Sequence, residues 1–270
     1  MRRHGRRRGS QCCGENRPLA DAAQRVLIRR LDLVADLNDD DREALARLPI
    51  LVREVGAGVD IVSEGQHVTQ CCILIDGFTH RYRHTFEGKR QIIAFHVPGD
   101  IPDLHSLHIN IMDHSFAATT RSLIGFVSHE AVWSLCVSHP NIAAALWLET
   151  LIDGAIFREW IVGLGRLSGT SRTAHLLCEL AMRLRSVGLS PENVYRIPLT
   201  QHELADALGL TVVTVNRVLQ ELKLKGLIER ERSRMVIKNW PALARIGEFN
   251  ADYLHFRIGV DMASGDLPAT

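Results

Sequence analysis

The sequence predicts an α+β chain in three parts: an N-terminal antiparallel β-roll, one long helix, and a C-terminal winged helix-turn-helix. Three observations carry this. Between Ile50 and about His129, short runs rich in valine and isoleucine alternate with glycine and proline turns, as in an antiparallel roll or barrel. Asn141–Leu164 is long, helical in pattern and apolar on more than one side. Leu199–Gly226 reads as two capped helices with a tight turn between them, and two short strands follow.

Taken in order, Met1–Gln24 is basic, glycine-bearing and without period, so residues 1–24 are expected to be a disordered tail. Such a tail either adds nonspecific attraction to DNA or is an extension from a misplaced start codon. Its Cys12-Cys13 pair reads as two exposed thiols. Residues 25–138 form the roll with its flanking helices. Val26–Leu48 has apolar residues at helical spacing, and Asn38 before Asp39, Asp40 and Asp41 reads as the cap and acidic first turn of a second short helix. Strands are expected at Val52–Val55, Val59–Val62, Cys71–Ile75, Phe78–Thr85, Arg90–Val97, Ser115–Thr120 and Leu123–Val127. Turn signals separate them at Gly56-Ala57-Gly58, Glu64-Gly65, Asp76-Gly77, Glu87-Gly88 and Pro98-Gly99-Asp100.

Glu130–Ser138 opens a short helix, and Pro140 starts the next at a favourable first-turn position. Residues 139–166 are the dimerisation helix and hinge. Ile142, Leu146, Leu148, Leu151, Ile152, Ala155, Ile156, Trp160 and Ile161 give this helix apolar residues on several faces. One face is expected to pack on the roll and another on a second copy, which predicts a homodimer. Gly163–Gly169 is the expected break. Ser171–Val187 is an amphipathic helix, and Gly188–Glu192 a polar loop.

Residues 167–246 form the winged helix-turn-helix domain. Thr200 caps a helix with Glu203 completing a capping box, Leu204, Ala205 and Leu208 face inward, and Gly209 ends it. Thr211 caps the second helix, whose Val215, Val218, Leu219 and Leu222 form its apolar stripe. Thr211, Val212, Val213, Thr214, Asn216, Arg217 and Gln220 are left to face outward, where a helix of this motif enters the major groove. Arg217 can donate two bonds to guanine, Val213 can lie on a thymine methyl, and Thr211 and Thr214 suit phosphates. Gly226–Arg230 and Met235–Lys238 read as the two strands of a wing, with Arg230, Arg232 and Arg234 along the phosphates. Trp240–Ile246 is a short closing helix, and residues 247–270 are expected to be a loosely ordered tail.

The 270 residues carry a formal net charge of +1, so overall charge does not announce a nucleic-acid binder, although arginines crowd the N-terminus and the wing. The six cysteines show neither a disulfide framework nor C-x-x-C spacing, which fits a reducing cytoplasm. No apolar run approaches the roughly 20 residues that span a bilayer. No Ser-His-Asp or Cys-His signature and no Gly-rich phosphate loop is present, so no catalytic residue is assigned.

With Glu64-Gly65, Asp76-Gly77, Pro98-Gly99-Asp100 and above all LTQHELADALGLTVVTVNRVLQEL, the chain from about Leu33 to Leu243 resembles the Crp/Fnr family, named for the cyclic-AMP receptor protein and the fumarate-and-nitrate-reduction regulator. The resemblance implies a cyclic-nucleotide-binding-type roll and a dimeric transcription regulator on a near-palindromic operator in double-stranded DNA, with RNA polymerase as a further partner. Recognition helices would sit about 34–36 Å apart. Arg217 falls at the family's base-reading arginine, and Thr211 and Thr214 at its phosphate-contacting positions. Val213 departs, because many relatives carry a glutamate there, and valine cannot accept a hydrogen bond.

In the family's nucleotide binders an acid holds the ribose and an arginine the phosphate. Asp103 sits about where the acid belongs. The arginine should fall near Asp113-His114-Ser115, and His114 is there instead. Pro102 also replaces a glycine of the binders. The effector is therefore expected to be something other than cyclic AMP, of unknown identity, or absent. His80, His84, His96, His105, His108 and His114 support an alternative, a metal- or haem-dependent roll acting as sensor or enzyme. The preferred reading has these histidines neutral and backbone-bonded, with no metal and no cofactor. Cys12-Cys13 lacks the spacing of the family's iron–sulfur branch, Cys71 and Cys72 point to opposite faces of a strand, and Cys178 is expected in a core.

Overall fold

A computed structural model describes residues 17–189, 194–231 and 234–257. Two helices lead, α1 (Arg17–Asp32) and α2 (Asp39–Ala46). The expected tail is therefore corrected: residues 17–24 are the first turns of α1, where Ala23 is fully buried. Residues 1–16, with Cys12 and Cys13, lie outside the described part. Asn38 caps α2 as expected, accepting from the Asp41 N–H while Asp41 accepts from the Asn38 N–H.

The roll follows as β1 (Leu51–Val55), β2 (Asp60–Val62), β3 (Gln70–Asp76), β4 (Thr79–His84), β5 (Arg90–His96), β6 (Ser115–Ala118) and β7 (Ser122–Ser128). All seven coincide with expected strands to within two residues. They form two antiparallel sheets, β1-β7-β3 and β2-β6-β4-β5. Val62, Cys72, Leu74, Met112, Phe116 and Ile124 fill the space between the sheets. On the other face of the first sheet, Cys71, Ile73 and Val127 meet α1 and the helices after the roll. Cys71 and Cys72 thus serve different apolar layers, as side-chain alternation along a strand requires. Burial pushes both thiols up, so neither offers a thiolate at neutral pH. At the β3–β4 turn Gly77 has φ of 94°, and a Cβ there would stand 2.4 Å from Ser122 Oγ.

Then come α3 (His129–Ser138), α4 (Pro140–Arg166) and α5 (Gly169–Ser186). The break between α4 and α5 falls at Leu167 and Ser168, inside the expected hinge, and Ser168 caps α5 through the Ser171 N–H. The inner side of α4 buries Ile142, Leu146, Ile152 and Ile156, while Trp147, Leu151 and Ile161 stand 71%, 54% and 68% exposed. The C-terminal unit comprises β8 (Val194–Arg196), α6 (Gln201–Leu208), α7 (Val212–Leu224), β9 (Ile228–Glu231), β10 (Arg234–Ile237) and α8 (Trp240–Ile246), with its sheet ordered β8-β10-β9.

This unit is docked on the roll. Phe78, Ile92, Phe95 and Val97 share one apolar cluster with Leu177, Ala181, Leu184 and Leu204. Arg90 Nε donates to Asp206 at 2.8 Å and Gln91 to the Ala207 carbonyl at 3.1 Å. The second expected tail is corrected as far as residue 257: Leu254 is 1% exposed, His175 Nδ1 lies 3.0 Å from the Gly247 carbonyl, and the Arg257 N–H donates to Leu33, while residues 258–270 lie outside the described part. Aromatic Phe249 and Tyr253 pack at His175, a source of order that a composition-based reading of the segment missed.

Candidate nucleic-acid interface

Local chemistry places α6 and α7. Thr200 Oγ1 accepts from the Glu203 N–H at 3.2 Å and Glu203 Oε2 accepts from the Thr200 N–H at 2.7 Å, closing the capping box. Gly209 ends α6 with φ of 60°, a left-handed conformation that costs glycine little. Thr211 then caps α7 by accepting from the Thr214 N–H at 3.1 Å. Each cap is worth about 1 kcal/mol. The inner stripe of α7, Val215, Val218, Leu219 and Leu222, is buried in the same cluster as α6 and α5.

The outward face is what that stripe leaves. Thr211, Val213, Asn216, Arg217 and Gln220 are exposed, Val213 to 79%. Thr214 is half-buried with its hydroxyl 2.9 Å from that of Thr211. Val212 is the exception among the expected contacts: it is half-buried and packs against the apolar core. Beside α7 lies a groove of about 300 Å³ lined by Gln201, Asn216, Gln220, Lys223 and Arg230. Arg230 donates to the Leu199 carbonyl at 2.6 Å, which braces the wing against the start of α6. Arg232 lies outside the described residues. Arg234 is placed on β10, in register with Arg196 of β8 and Glu231 of β9.

In the roll, Asp103 is held by the backbone of β3. It is fully buried, and its Oδ1 accepts from the Cys72 N–H at 2.6 Å. His114 is 6% exposed, with Nδ1 2.6 Å from Asp113 Oδ1. Burial, then Arg81, lowers His105 to about 4 and also lowers His114, so both rings are neutral near pH 7. His80 and His96 are buried and likewise lowered to about 4. The expected backbone bonding does not hold for His80, which faces the Thr119 hydroxyl, or for His96, which accepts from Arg81 Nε at 3.0 Å.

A buried charge network joins the parts. Arg30 of α1 donates to Glu149 of α4 at 2.9 Å. Arg81 of β4 donates to Asp153 of α4 at 2.6 Å. Arg183 of α5 bridges Asp100 at 2.5 Å and Glu179 at 3.1 Å. Trp160 and Tyr253 both donate to Glu179. Arg30, Arg81, His96, Asp100, Glu149, Asp153 and Arg183 surround a cavity of about 40 Å³, space for water-sized occupants. Apart from His96 and Asp100, sequence reading missed these residues, although Glu149 and Asp153, and Glu179 and Arg183, stand four apart within otherwise apolar helical faces.

A capped recognition helix presented from a winged domain, behind a β-roll and a long helix, defines a DNA-binding transcription regulator. Family models agree with that architecture: the cyclic nucleotide-binding domain matches residues 52–139 and the Crp-like helix-turn-helix domain residues 171–246. The chain belongs to the Crp/Fnr family of regulators. It is 28% identical over 205 residues to the transcriptional activator protein FnrL of Cereibacter sphaeroides, covering 73% of this chain and 81% of that one. It is 23% identical over 221 residues to the fumarate and nitrate reduction regulatory protein of Escherichia coli, covering 81% and 87%. The structure of FixK2 from Bradyrhizobium japonicum superposes with a TM-score of 0.68 at 23% identity, covering 74% of this chain and 98% of that one. These curated relatives are named as regulators, not as enzymes. No helix among the described residues is long and apolar enough to cross a membrane.

Proposed function

We propose that the protein is a cytoplasmic homodimer that seats one α7 per protomer in successive major grooves of a near-palindromic operator. The observation that carries this is the exposed row Val213, Asn216, Arg217 and Gln220 on one side of a helix fixed by caps at its start and by a buried stripe behind. Arg217 reads guanine, Thr211 and Thr214 set register on phosphates, and Asn216 and Gln220 extend the reading face. The exposed Trp147, Leu151 and Ile161 on α4 support pairing through that helix, since a soluble surface rarely leaves such a stripe uncovered.

Effector and output belong to the same reading. A fully buried Asp103, a histidine at position 114 and a water-sized cavity support a signal other than cyclic AMP. RNA polymerase is the partner through which a promoter-bound regulator of this class changes transcription. Site selection from random DNA, followed by fluorescence anisotropy on the selected operator, tests the assignment. Arg217→Ala should weaken specific binding by roughly 1–3 kcal/mol and relax one position of each half-site. A protein with no preferred sequence, or a preference untouched by that substitution, would sink it.

A further inference from the structure

Away from the DNA-reading face, one cluster holds buried ring nitrogens with nothing to bond. His105 lies on the short 3-10 turn Leu104–Leu107, and His114 precedes β6. Their ring centroids are 5.1 Å apart. Nε2 of each ring is buried and has no hydrogen-bond partner among the described residues. Leaving one such polar atom buried and unpaired opposes folding, so two side by side call for an explanation.

The third member supplies it. His114 Nδ1 is 2.6 Å from Asp113 Oδ1. An ionised carboxylate only accepts, so the proton sits on Nδ1 and Nε2 presents a lone pair. A carboxylate that fixes the tautomer and aims the far nitrogen is the arrangement found behind metal-ligating histidines. One ligand atom from each of His105, Asp113 and His114 lies within 4.8 Å of the other two. The nearby cation, Arg81, is ion-paired with Asp153 at 2.6 Å, which offsets its repulsion of a bound cation.

We propose that His105 and His114, with Asp113 as third ligand or as the carboxylate orienting His114, bind one divalent transition-metal ion per chain. Two imidazoles and a carboxylate suit zinc, iron(II), cobalt or nickel and do not suit magnesium or calcium. Metal–ligand bonds of about 2.0–2.2 Å are reached by small side-chain rotations from ligand atoms that lie within 4.8 Å of one another. The site extends beyond the DNA-binding assignment and does not depend on it.

The test uses untagged full-length protein stripped with a chelator, titrated with Zn2+ by calorimetry and with Co2+ by visible absorption. One equivalent should bind per chain. His105→Gln and His114→Gln should each weaken binding at least about tenfold, and Asp113→Asn about 10–100-fold. His84→Gln, at an exposed histidine outside the cluster, should leave affinity unchanged. Asp113 is an exposed residue, so Asp113→Asn should unfold like the parent in metal-free buffer and carry the test alone if a histidine variant fails to fold. No uptake by the parent protein, or uptake with undiminished parental affinity in Asp113→Asn and in the His105→Gln/His114→Gln double variant, overturns the proposal.

Discussion

Arg183 of α5 places Nη2 2.5 Å from Oδ2 of Asp100, in the turn after β5, with both side chains buried. Burial alone would raise the Asp100 carboxyl, yet Arg183, with His96 and Arg30, holds it well below the usual carboxylate range. The second arm of Arg183 reaches Glu179. Arg183→Leu leaves buried Glu179 without its cation and buried Asp100 with only the more distant Arg30, at 3.9 Å, and should destabilise the protein by about 3–5 kcal/mol in urea unfolding. Adding Asp100→Asn should restore part of that loss, because one of the stranded charges is gone.

Val213 decides what the DNA-reading face cannot do. Its exposed isopropyl group offers no acceptor. Val213→Glu should create a preference for a cytosine whose N4 amino group can donate, worth roughly 1–3 kcal/mol against the other bases at that position. Site selection with the variant reads the change directly, and stability should shift by less than about 0.5 kcal/mol because the residue is on the surface.

Acid should unfold the protein through its buried histidines. His80 and His96 are lowered from 6.5 to about 4, first by burial, then by Arg90 for His80 and by Arg81 for His96. Between those two values the unfolded chain binds more protons than the folded one, so stability falls as pH drops from about 6.5 to about 4 and these two groups add nothing further below that. Each can contribute up to roughly 3 kcal/mol to the fall. Thermal unfolding from pH 7.5 to 4.5 measures it, and His80→Gln should flatten the curve.

The exposed stripe of α4 gives a test of pairing. Leu151→Arg puts a charge in the middle of the face carrying Trp147 and Ile161. Sedimentation should show a shift from dimer to monomer at low micromolar concentration. Affinity for a two-half-site operator should fall at least about tenfold, while far-ultraviolet circular dichroism stays the same.

Much of this was legible in the residues. The seven strands announced themselves through β-branched runs cut by glycine turns, and α6 and α7 through caps that act within four residues of where they are written. What escaped was long-range. β8 has only Val194–Arg196 and exists because it pairs with β10. Residues 17–24 and 247–257 are ordered by partners far along the chain, such as Leu33 for Arg257. The acid of the roll illustrates the same point: Asp103 stands at the expected place in the sequence, but its rotamer is set by the Cys72 backbone, a contact across 31 positions.

Because Glu179 takes bonds from Trp160, Arg183 and Tyr253, and α5 is covered on all sides by roll, long helix and C-terminal segment, the winged unit has no clean seam at residue 167. A truncated fragment starting there would bare a carboxylate and an apolar helix together. Chimaeras that graft this reading head onto another sensor would have to carry Asp100 and the 247–257 strap along with it.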